Sequence, residues 1–222
     1  MTSTAPTERR SVTVPPTDER LRRYWDSKAP AFDGEMAFME RVLFEDGRQW
    51  ACSQATGHVL EVAIGTGRNL PHYPQGVHLT GVEWSPAMLD IARHRARELG
   101  RQVNLHQGDA QALEFPDGSF DTVVCAFSLC GIPRDRQAVG EMDRVLRPGG
   151  LLLLADHVEA SRWDARAAQR LIDLVTVPLG GEHFRRRPII QVRALGYAIE
   201  RHQRFTLGIV ERLAARKPHA GA

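Results

Sequence analysis

An apolar run that breaks into a glycine-containing turn, HVLEVAIGTGRNL at residues 58–70, constrains the fold of this chain more than any other stretch. Residues 59–64 are almost all aliphatic, which is typical of a strand buried on both faces of a sheet. Gly65 and Gly67 then allow a sharp turn and a close approach of the backbone to a ligand. In open α/β sheets, such a strand and loop bind a nucleotide-like cofactor.

Strand and helix patterns alternate after this loop. The predicted strands are 78–84, 103–107, 122–127 and 151–155, and one intervening helix begins with a Ser85-Pro86 cap and ends at Gly100. Such alternation is typical of a parallel sheet with helices on both faces. The sequence therefore predicts an α/β, doubly wound fold of the Rossmann-like type.

The two ends of the chain carry other patterns. Residues 1–16 offer almost nothing to bury, and we expect a disordered tail there. Pro30 predicts a turn at 27–33, between two N-terminal helices that could cap the cofactor loop. The rest, 17–222, is predicted as a single domain with three parts: cap helices at 17–52, a cofactor-binding core at 58–156, and at 157–217 a substrate-side amphipathic helix, a loop and two antiparallel C-terminal strands.

Composition narrows the class of protein. With 222 residues, 42% of them hydrophobic, the chain suits one globular domain. A formal net charge of +2 gives no support for a nucleic-acid partner. Three cysteines, an odd number, favour reduced thiols in a cytoplasmic protein. Because no stretch is apolar and long enough to span a bilayer, we expect no membrane partner.

Two classes of cofactor compete for the glycine loop. A dinucleotide fingerprint requires a third glycine where this chain has Leu70. Glu83, at the end of the second strand, can accept hydrogen bonds from both hydroxyls of any ribose. Glu61, inside the first strand, would repel a pyrophosphate and attract a cation. These residues favour a cationic adenosine ligand, with a nicotinamide cofactor as the alternative.

Four segments in order carry a family resemblance: LEVAIGTGRN, GVEWSPAML, GDAQALEFPDGSFDTVV and RVLRPGGLLLLADH. The chain resembles the class I S-adenosylmethionine-dependent methyltransferases, in the branch that includes the quinone-biosynthesis enzymes. The resemblance covers residues 24–217 and implies a seven-stranded sheet with an antiparallel last strand. It also implies S-adenosyl-L-methionine as cofactor and S-adenosyl-L-homocysteine as product.

The resemblance assigns residues to parts of that cofactor. It implies that Glu83 binds the ribose, while Asp109 and the backbone of Ala110 bind the adenine that Trp84 and Met88 line. It places Ala126 and Phe127 beneath the sulfonium. Around the methionine end it places the residues of the first strand and its loop: Glu61, Ala63, Gly65, Thr66, Gly67 and Asn69.

The sequence departs from the family at two points. Glu83 stands where relatives often have Asp, which changes the reach of the carboxylate and not its chemistry. Cys130-Gly131 stands where several relatives carry a His-His pair, so no role of those histidines transfers. The segment VVCAFSLCGIP also resembles a narrower subgroup that includes thiol methyltransferases. Small apolar packing is the competing interpretation of its cysteines.

The resemblance implies that the chain transfers a methyl group to a small-molecule acceptor. We expect a nitrogen, oxygen, sulfur or carbon nucleophile, such as that of a thiol, a quinone or a secondary metabolite. His157, just beyond the fifth strand, is the candidate general base. Tyr24, Cys130 and His183 are weaker candidates for binding the acceptor. We interpret 185–187, three consecutive arginines, as a solvated loop, and the cysteine and histidine spacing predicts no metal site.

Other functions stay open at this point. The glycine loop is compatible with a nicotinamide-dependent oxidoreductase. The lack of an unambiguous base is compatible with a non-catalytic protein that binds S-adenosylmethionine as a partner of another enzyme. Scattered arginines leave RNA methylation as a further alternative. The sequence does not indicate an oligomeric state.

Overall fold

The protein is represented by a computed structural model that describes residues 16–219, with side chains described from residue 18 onward. The predicted disordered tail, 1–16, lies outside the described residues apart from Pro16. The centre of the fold is a seven-stranded sheet. Its strands are β1 His58–Val62, β2 His78–Glu83, β3 Val103–Gln107, β4 Phe120–Ala126, β5 Leu146–His157, β6 Ala198–Phe205 and β7 Val210–Arg216.

The strand order is β3-β2-β1-β4-β5-β7-β6. Strands β1 to β5 pair with one another in parallel, and β7 is antiparallel to both β5 and β6. The α/β class, the seven strands and the antiparallel last strand are thus confirmed. The strand order reverses between β1 and β4, where open sheets of this kind bind ligands.

Apolar side chains cover both faces of the central strands. Successive residues of a strand point to opposite faces, so Leu60 and Val62 join one buried cluster while Val59 joins the other. Glu61 lies between them and is only 1% exposed. An acidic side chain buried in the central strand costs solvation energy, which makes it a candidate for function.

Six α-helices surround the sheet in the described part of the chain: α1 Pro16–Met39, α2 Gly47–Cys52, α3 Pro86–Glu98, α4 Asp135–Val145, α5 Trp163–Gly180 and α6 Pro188–Ala194. Helix α3 begins as the sequence predicts, because Ser85 Oγ accepts a hydrogen bond of 3.2 Å from the backbone N–H of Met88. No helix within residues 16–219 combines the length and the apolarity needed to cross a membrane.

The turn predicted at 27–33 is wrong, because α1 continues through Pro30. A proline inside a helix loses one backbone hydrogen bond. Two carboxylates beside it tie the helix to the cofactor side of the sheet. Asp26 Oδ1 accepts from Ser85 Oγ at 2.6 Å, and Asp33 Oδ1 accepts from Thr66 Oγ1 at 2.6 Å. These tertiary contacts outweigh the local effect of the proline.

Candidate functional site

A cleft of about 850 Å³ opens at the carboxyl ends of the parallel strands. Its walls come from the segments that follow β1, β2, β3, β4 and β5, together with the inner side of α1. Small-molecule sites of open α/β sheets lie in this position, at the carboxyl ends of the strands. The lining includes Trp25, Phe32, Met36, Phe44, Ala63, Gly65, Val82, Glu83, Trp84, Met88, Gly108, Ala110, Phe127, Ser128, Cys130, Gly131, Ile132, Pro133, His157 and Glu182.

The backbone is strained where the cleft meets the reversal of strand order. Ala63 follows β1 and Phe127 follows β4, and each has a φ of +54°. That conformation is uncommon for residues with a side chain, and it clusters at functional sites. Gly65, at φ +59°, has open space where a Cβ would stand. A ligand can therefore approach the backbone of this loop closely.

Glu61 lies beneath the glycine loop and outside the cleft wall. Its Oε1 accepts a hydrogen bond of 2.7 Å from Asn69 Nδ2, and Arg48 Nη1 donates to Asn69 Oδ1 at 2.9 Å. Oε2 is buried without a hydrogen-bond partner among the described residues. Burial raises the pKa of Glu61 to about 7. An orphaned carboxylate oxygen here suits the positive charge of a cationic ligand above the loop.

Glu83 is the acidic group of the cleft wall, and the backbone fixes its orientation. Oε2 accepts from the N–H of Gly65 at 2.8 Å, and Oε1 accepts from the N–H of Ser85 at 2.8 Å. Burial raises the pKa of this carboxyl. Each oxygen keeps a second lone pair, so the carboxylate can still accept hydrogen bonds from a diol. The glycine loop and the carboxylate thus hold each other in place.

Of the other residues assigned to the cofactor, the structure places some in the cleft wall and one outside it. Trp84, Met88 and Ala110 line the cleft, whereas Asp109 does not. Both oxygens of Asp109 accept hydrogen bonds from the Gln111 side chain, at 2.9 and 3.0 Å. Asp109 thus orients Gln111 in this arrangement, and its hydrogen bond to an adenine amino group stays a prediction.

The remaining residues assigned to the cofactor lie in different places around the loop. Thr66 and Ala126 line a smaller adjoining cleft. Gly67, at φ +79°, lines neither cleft. A Cβ at this position would lie 2.9 Å from Leu70 and 3.3 Å from Ala92. Gly67 is therefore required for close packing of the loop against α3. Asn69 contacts the carboxylate of Glu61 and lies outside both clefts.

Aromatic side chains build the other end of the cleft. Phe44 stacks on Phe127 with ring centroids 4.1 Å apart. Trp25, Phe32 and Met36 reach the cleft from α1. The sequence analysis missed Phe32, Met36, Phe44 and Glu182 as lining residues. The spacing of Trp25, Phe32 and Met36 along one helix was the available signal, and the predicted turn at Pro30 concealed it.

Tyr24 and His183, two candidates for binding the acceptor, do not line the cleft. The Tyr24 ring packs against Gly180, where a Cβ on residue 180 would lie 2.4 Å from the ring. The backbone N–H of His183 donates to Cys130 O at 2.9 Å, and its neighbour Glu182 takes the place in the wall. Burial raises the pKa of Glu182.

His157 lies at the aromatic end and is 6% exposed. Its ring stacks on Phe184 at 4.2 Å, and its buried Nδ1 has no hydrogen-bond partner among the described residues. A nitrogen left free in this way can accept a proton from a ligand. His157 therefore fits the predicted general base in position, while its assignment stays a prediction.

Cys130, Asp156 and His157 come together although their spacing in the sequence predicts no metal site. Their potential ligand atoms lie within 4.8 Å of one another. Asp156 already accepts from the N–H of His157 at 2.8 Å and of Cys130 at 3.3 Å. Burial raises the pKa of the Cys130 thiol well above its usual range, and also that of Asp156. The protonated thiol that results suits packing better than metal ligation.

The interpretation of 185–187 as a solvated loop is wrong for Arg186. Its guanidinium donates to the carbonyl oxygens of Leu129, Ile132 at 2.5 Å and Pro133 at 3.1 Å. These contacts brace the segment that carries Cys130. Arg185 pairs with the buried Asp173 at 2.7 Å. Consecutive arginines do not reveal from sequence alone which one will be buried against carbonyl groups.

Comparisons with known proteins place this geometry in context. The family described as a methyltransferase domain matches residues 60–154. The phosphatidylethanolamine N-methyltransferase of Cereibacter sphaeroides is 39% identical over 52% of this chain and 58% of its own length. The demethylmenaquinone methyltransferase of Listeria welshimeri is 43% identical over 63% of each chain. The human thiol S-methyltransferase TMT1A is 33% identical over 60% of this chain and 57% of its own length.

The chain thus spans less than two thirds of the length of these curated relatives.

Solved structures agree in fold. A methyltransferase of Thermotoga maritima that depends on S-adenosylmethionine has a TM-score of 0.66 at 19% identity, over 88% of this chain and 99% of its own. The cyclase SpnF has a TM-score of 0.62 at 21% identity, over 79% of this chain and 80% of its own. The same fold therefore carries different reactions.

Proposed function

We propose that this chain, which is similar to methyltransferases in sequence and in fold, transfers a methyl group from S-adenosylmethionine to a small acceptor held at the aromatic end of the cleft. The observation that carries the proposal is Glu83, a buried carboxylate fixed by the N–H groups of Gly65 and Ser85 in the cleft wall. Glu61 beneath the same loop adds negative charge suited to a cationic cofactor.

Several residues of the cleft wall have the chemistry that would hold this cofactor. Glu83 would accept hydrogen bonds from the ribose hydroxyls, and Trp84, Met88 and Ala110 would line the adenine. Open space at Gly65 leaves room for the methionine end. The remaining family assignments, at Ala63, Thr66, Asn69, Asp109, Ala126 and Phe127, are proposals of the same kind.

When bound, S-adenosylmethionine supplies an electrophilic methyl carbon on a positive sulfonium. The aromatic wall would hold the nucleophilic atom of the acceptor in line with that carbon and exclude water, and such positioning lowers the barrier. The nucleophile would bond to the methyl carbon as the carbon–sulfur bond breaks, and the electron pair of that bond would leave on the sulfur. His157 Nδ1 would accept the proton that an amine, hydroxyl or thiol acceptor loses.

The relatives' acceptors, an amino phospholipid, a quinone and thiols, define the classes to test. Purified protein is incubated with methyl-labelled cofactor and a panel of thiols, phenols, amines and quinones. We expect transfer to one class. His157→Ala is expected to lower kcat by about 10²- to 10⁴-fold, the usual contribution of a general base.

Two control variants accompany this experiment. Cys130→Ala tests whether the thiol only packs, in which case turnover stays close to wild type. His94→Ala is the control for the loss of a histidine, because His94 is exposed on α3. Cofactor binding without transfer to any acceptor would instead support a non-catalytic binding protein. Binding of NADH with hydride transfer would support the oxidoreductase alternative.

A further inference from the structure

Helix α5 turns its apolar side away from the protein. Side chains at spacings of three and four residues form two neighbouring stripes, and such spacings place them on one face of a helix. Trp163 is 76% exposed, Leu171 68% and Leu174 72%. The exposed apolar face, termed here the α5 face, consists of Trp163, Ala167, Ala168, Leu171, Ile172, Leu174, Val175, Pro178 and Leu179.

Polar side chains hold the opposite side of α5 to the protein. Gln169 Nε2 donates to Val158 O at 2.8 Å and Phe184 O at 3.0 Å, and its Oε1 accepts from the N–H of Ala160 at 2.8 Å. Asp173 accepts from the N–H of Phe184 at 2.8 Å and pairs with Arg185. This network fixes the helix with its apolar side outward, so the exposure is not a matter of a loosely attached segment.

An exposed apolar surface of this extent marks an interaction site in soluble proteins. The α5 face covers five turns with one interruption, Asp164, which pairs with Arg162 at 2.7 Å. Arg166 and Arg170, four residues apart, follow one edge of the face. Neither forms an ion pair within the described part of the chain. An apolar face with positive charge along its border complements an anionic lipid surface.

The α5 face ends beside the aromatic end of the cleft. Gly180 closes the helix against Tyr24, and Arg20 Nη1 donates to Leu179 O at 3.2 Å. Two residues later Glu182 lies in the cleft wall. A surface that the α5 face touches would therefore lie next to the acceptor end of the cleft.

We propose that the α5 face docks on the surface of an anionic lipid bilayer. The apolar side chains enter the boundary between headgroups and acyl chains, and Arg166 and Arg170 lie at the phosphates. Helix α5 lies in the plane of the surface and does not span it. This inference departs from the sequence-based expectation of no membrane partner, and it does not depend on the proposed methyl transfer.

The test is vesicle flotation of the full chain, with vesicles of phosphatidylcholine alone or mixed with phosphatidylglycerol. We expect binding to the mixed vesicles that weakens as salt increases. The variant Leu171→Ser with Leu174→Ser should lower the partition coefficient by about tenfold or more, because two apolar side chains no longer enter the bilayer. Arg166→Gln with Arg170→Gln should weaken binding to mixed vesicles only.

The matched control exchanges two apolar side chains that are exposed elsewhere, Ile190→Ser with Leu207→Ser, which are 64% and 54% exposed in the wild type. It should bind vesicles as the wild type does. Absence of wild-type binding, or an equal loss in the control, would overturn the proposal. So would sedimentation of the wild type as a dimer that Leu171→Ser with Leu174→Ser dissociates, since a second copy would then cover the face.

Discussion

Helices α3 and α5 are both amphipathic, and the protein uses their two sides in opposite ways. Helix α3 buries Met88 and Leu89 against the sheet beside the proposed cofactor end. Helix α5 exposes Leu171 and Leu174 and buries Gln169 instead. Periodicity predicts that a helix has two different sides. It does not establish which side faces the protein, because buried polar groups with complete hydrogen bonding can replace an apolar contact.

The first test of this comparison replaces one leucine on each helix with alanine. Leu89→Ala on α3 is expected to lower the free energy of unfolding by about 2–5 kcal/mol, since Leu89 is 1% exposed and its removal leaves a cavity. Leu174→Ala on α5 should change it by no more than about 0.5 kcal/mol. Urea denaturation of both variants measures the difference. Equal losses would mean that the α5 face is buried in solution.

A second prediction concerns Glu61, a buried carboxyl with one oxygen that lacks a hydrogen-bond partner among the described residues. Its pKa of about 7 lies above the ordinary 4.5, so the folded protein holds this proton more tightly than the unfolded chain does. The contribution of Glu61 to stability is complete below pH 4.5 and is lost as pH rises to about 7. Glu61→Gln keeps the neutral form. The variant should match wild type at about pH 4 and exceed it by about 3 kcal/mol at about pH 8.

Chemical denaturation at the two pH values, without cofactor, checks the result for Glu61. Glu98→Gln, at an exposed position on α3, is the control and should show no pH-dependent gain. A Glu61→Gln variant that stays parallel to wild type from acid to alkaline pH would contradict the assigned burial of the carboxyl.

The third prediction, with the smallest expected effect, compares a buried polar side chain that supports α5 with a solvated one on α3. Gln169→Ala removes three hydrogen bonds and leaves their backbone partners without donors or acceptors, which should cost about 1–3 kcal/mol. Glu98→Ala should change stability by no more than about 0.5 kcal/mol. Thermal denaturation followed by circular dichroism compares the two. A neutral Gln169→Ala would show that other contacts orient α5.

Local signals were sufficient for the cofactor side of the fold. The apolar run 59–64, the cap at Ser85 and the glycine at position 100 each act through neighbours in sequence, and the strands and helix they predict are present. Glu83 could be proposed because its place at a strand end follows from the same pattern. Local chemistry therefore accounts for most of the core.

The acceptor side depends on contacts between distant residues. Pro30 predicts a turn locally, yet Asp26 and Asp33 hold the helix through partners elsewhere in the chain. Glu182 lines the cleft, and Gln169 donates to Phe184 O two residues further on, a contact that no periodicity reveals. Asp109 turns to Gln111 for a similar reason, since a neighbouring amide competes for its oxygens. These features require the assembled fold.

The most direct test of the central claim is calorimetric titration of S-adenosylmethionine, and separately of NADH, into the wild type and Glu83→Gln. We expect micromolar binding of S-adenosylmethionine and none of NADH. Glu83→Gln should weaken the binding by about tenfold or more, because hydrogen bonds to a charged carboxylate are lost. Binding of NADH without binding of S-adenosylmethionine, or an unchanged affinity in Glu83→Gln, would contradict the account.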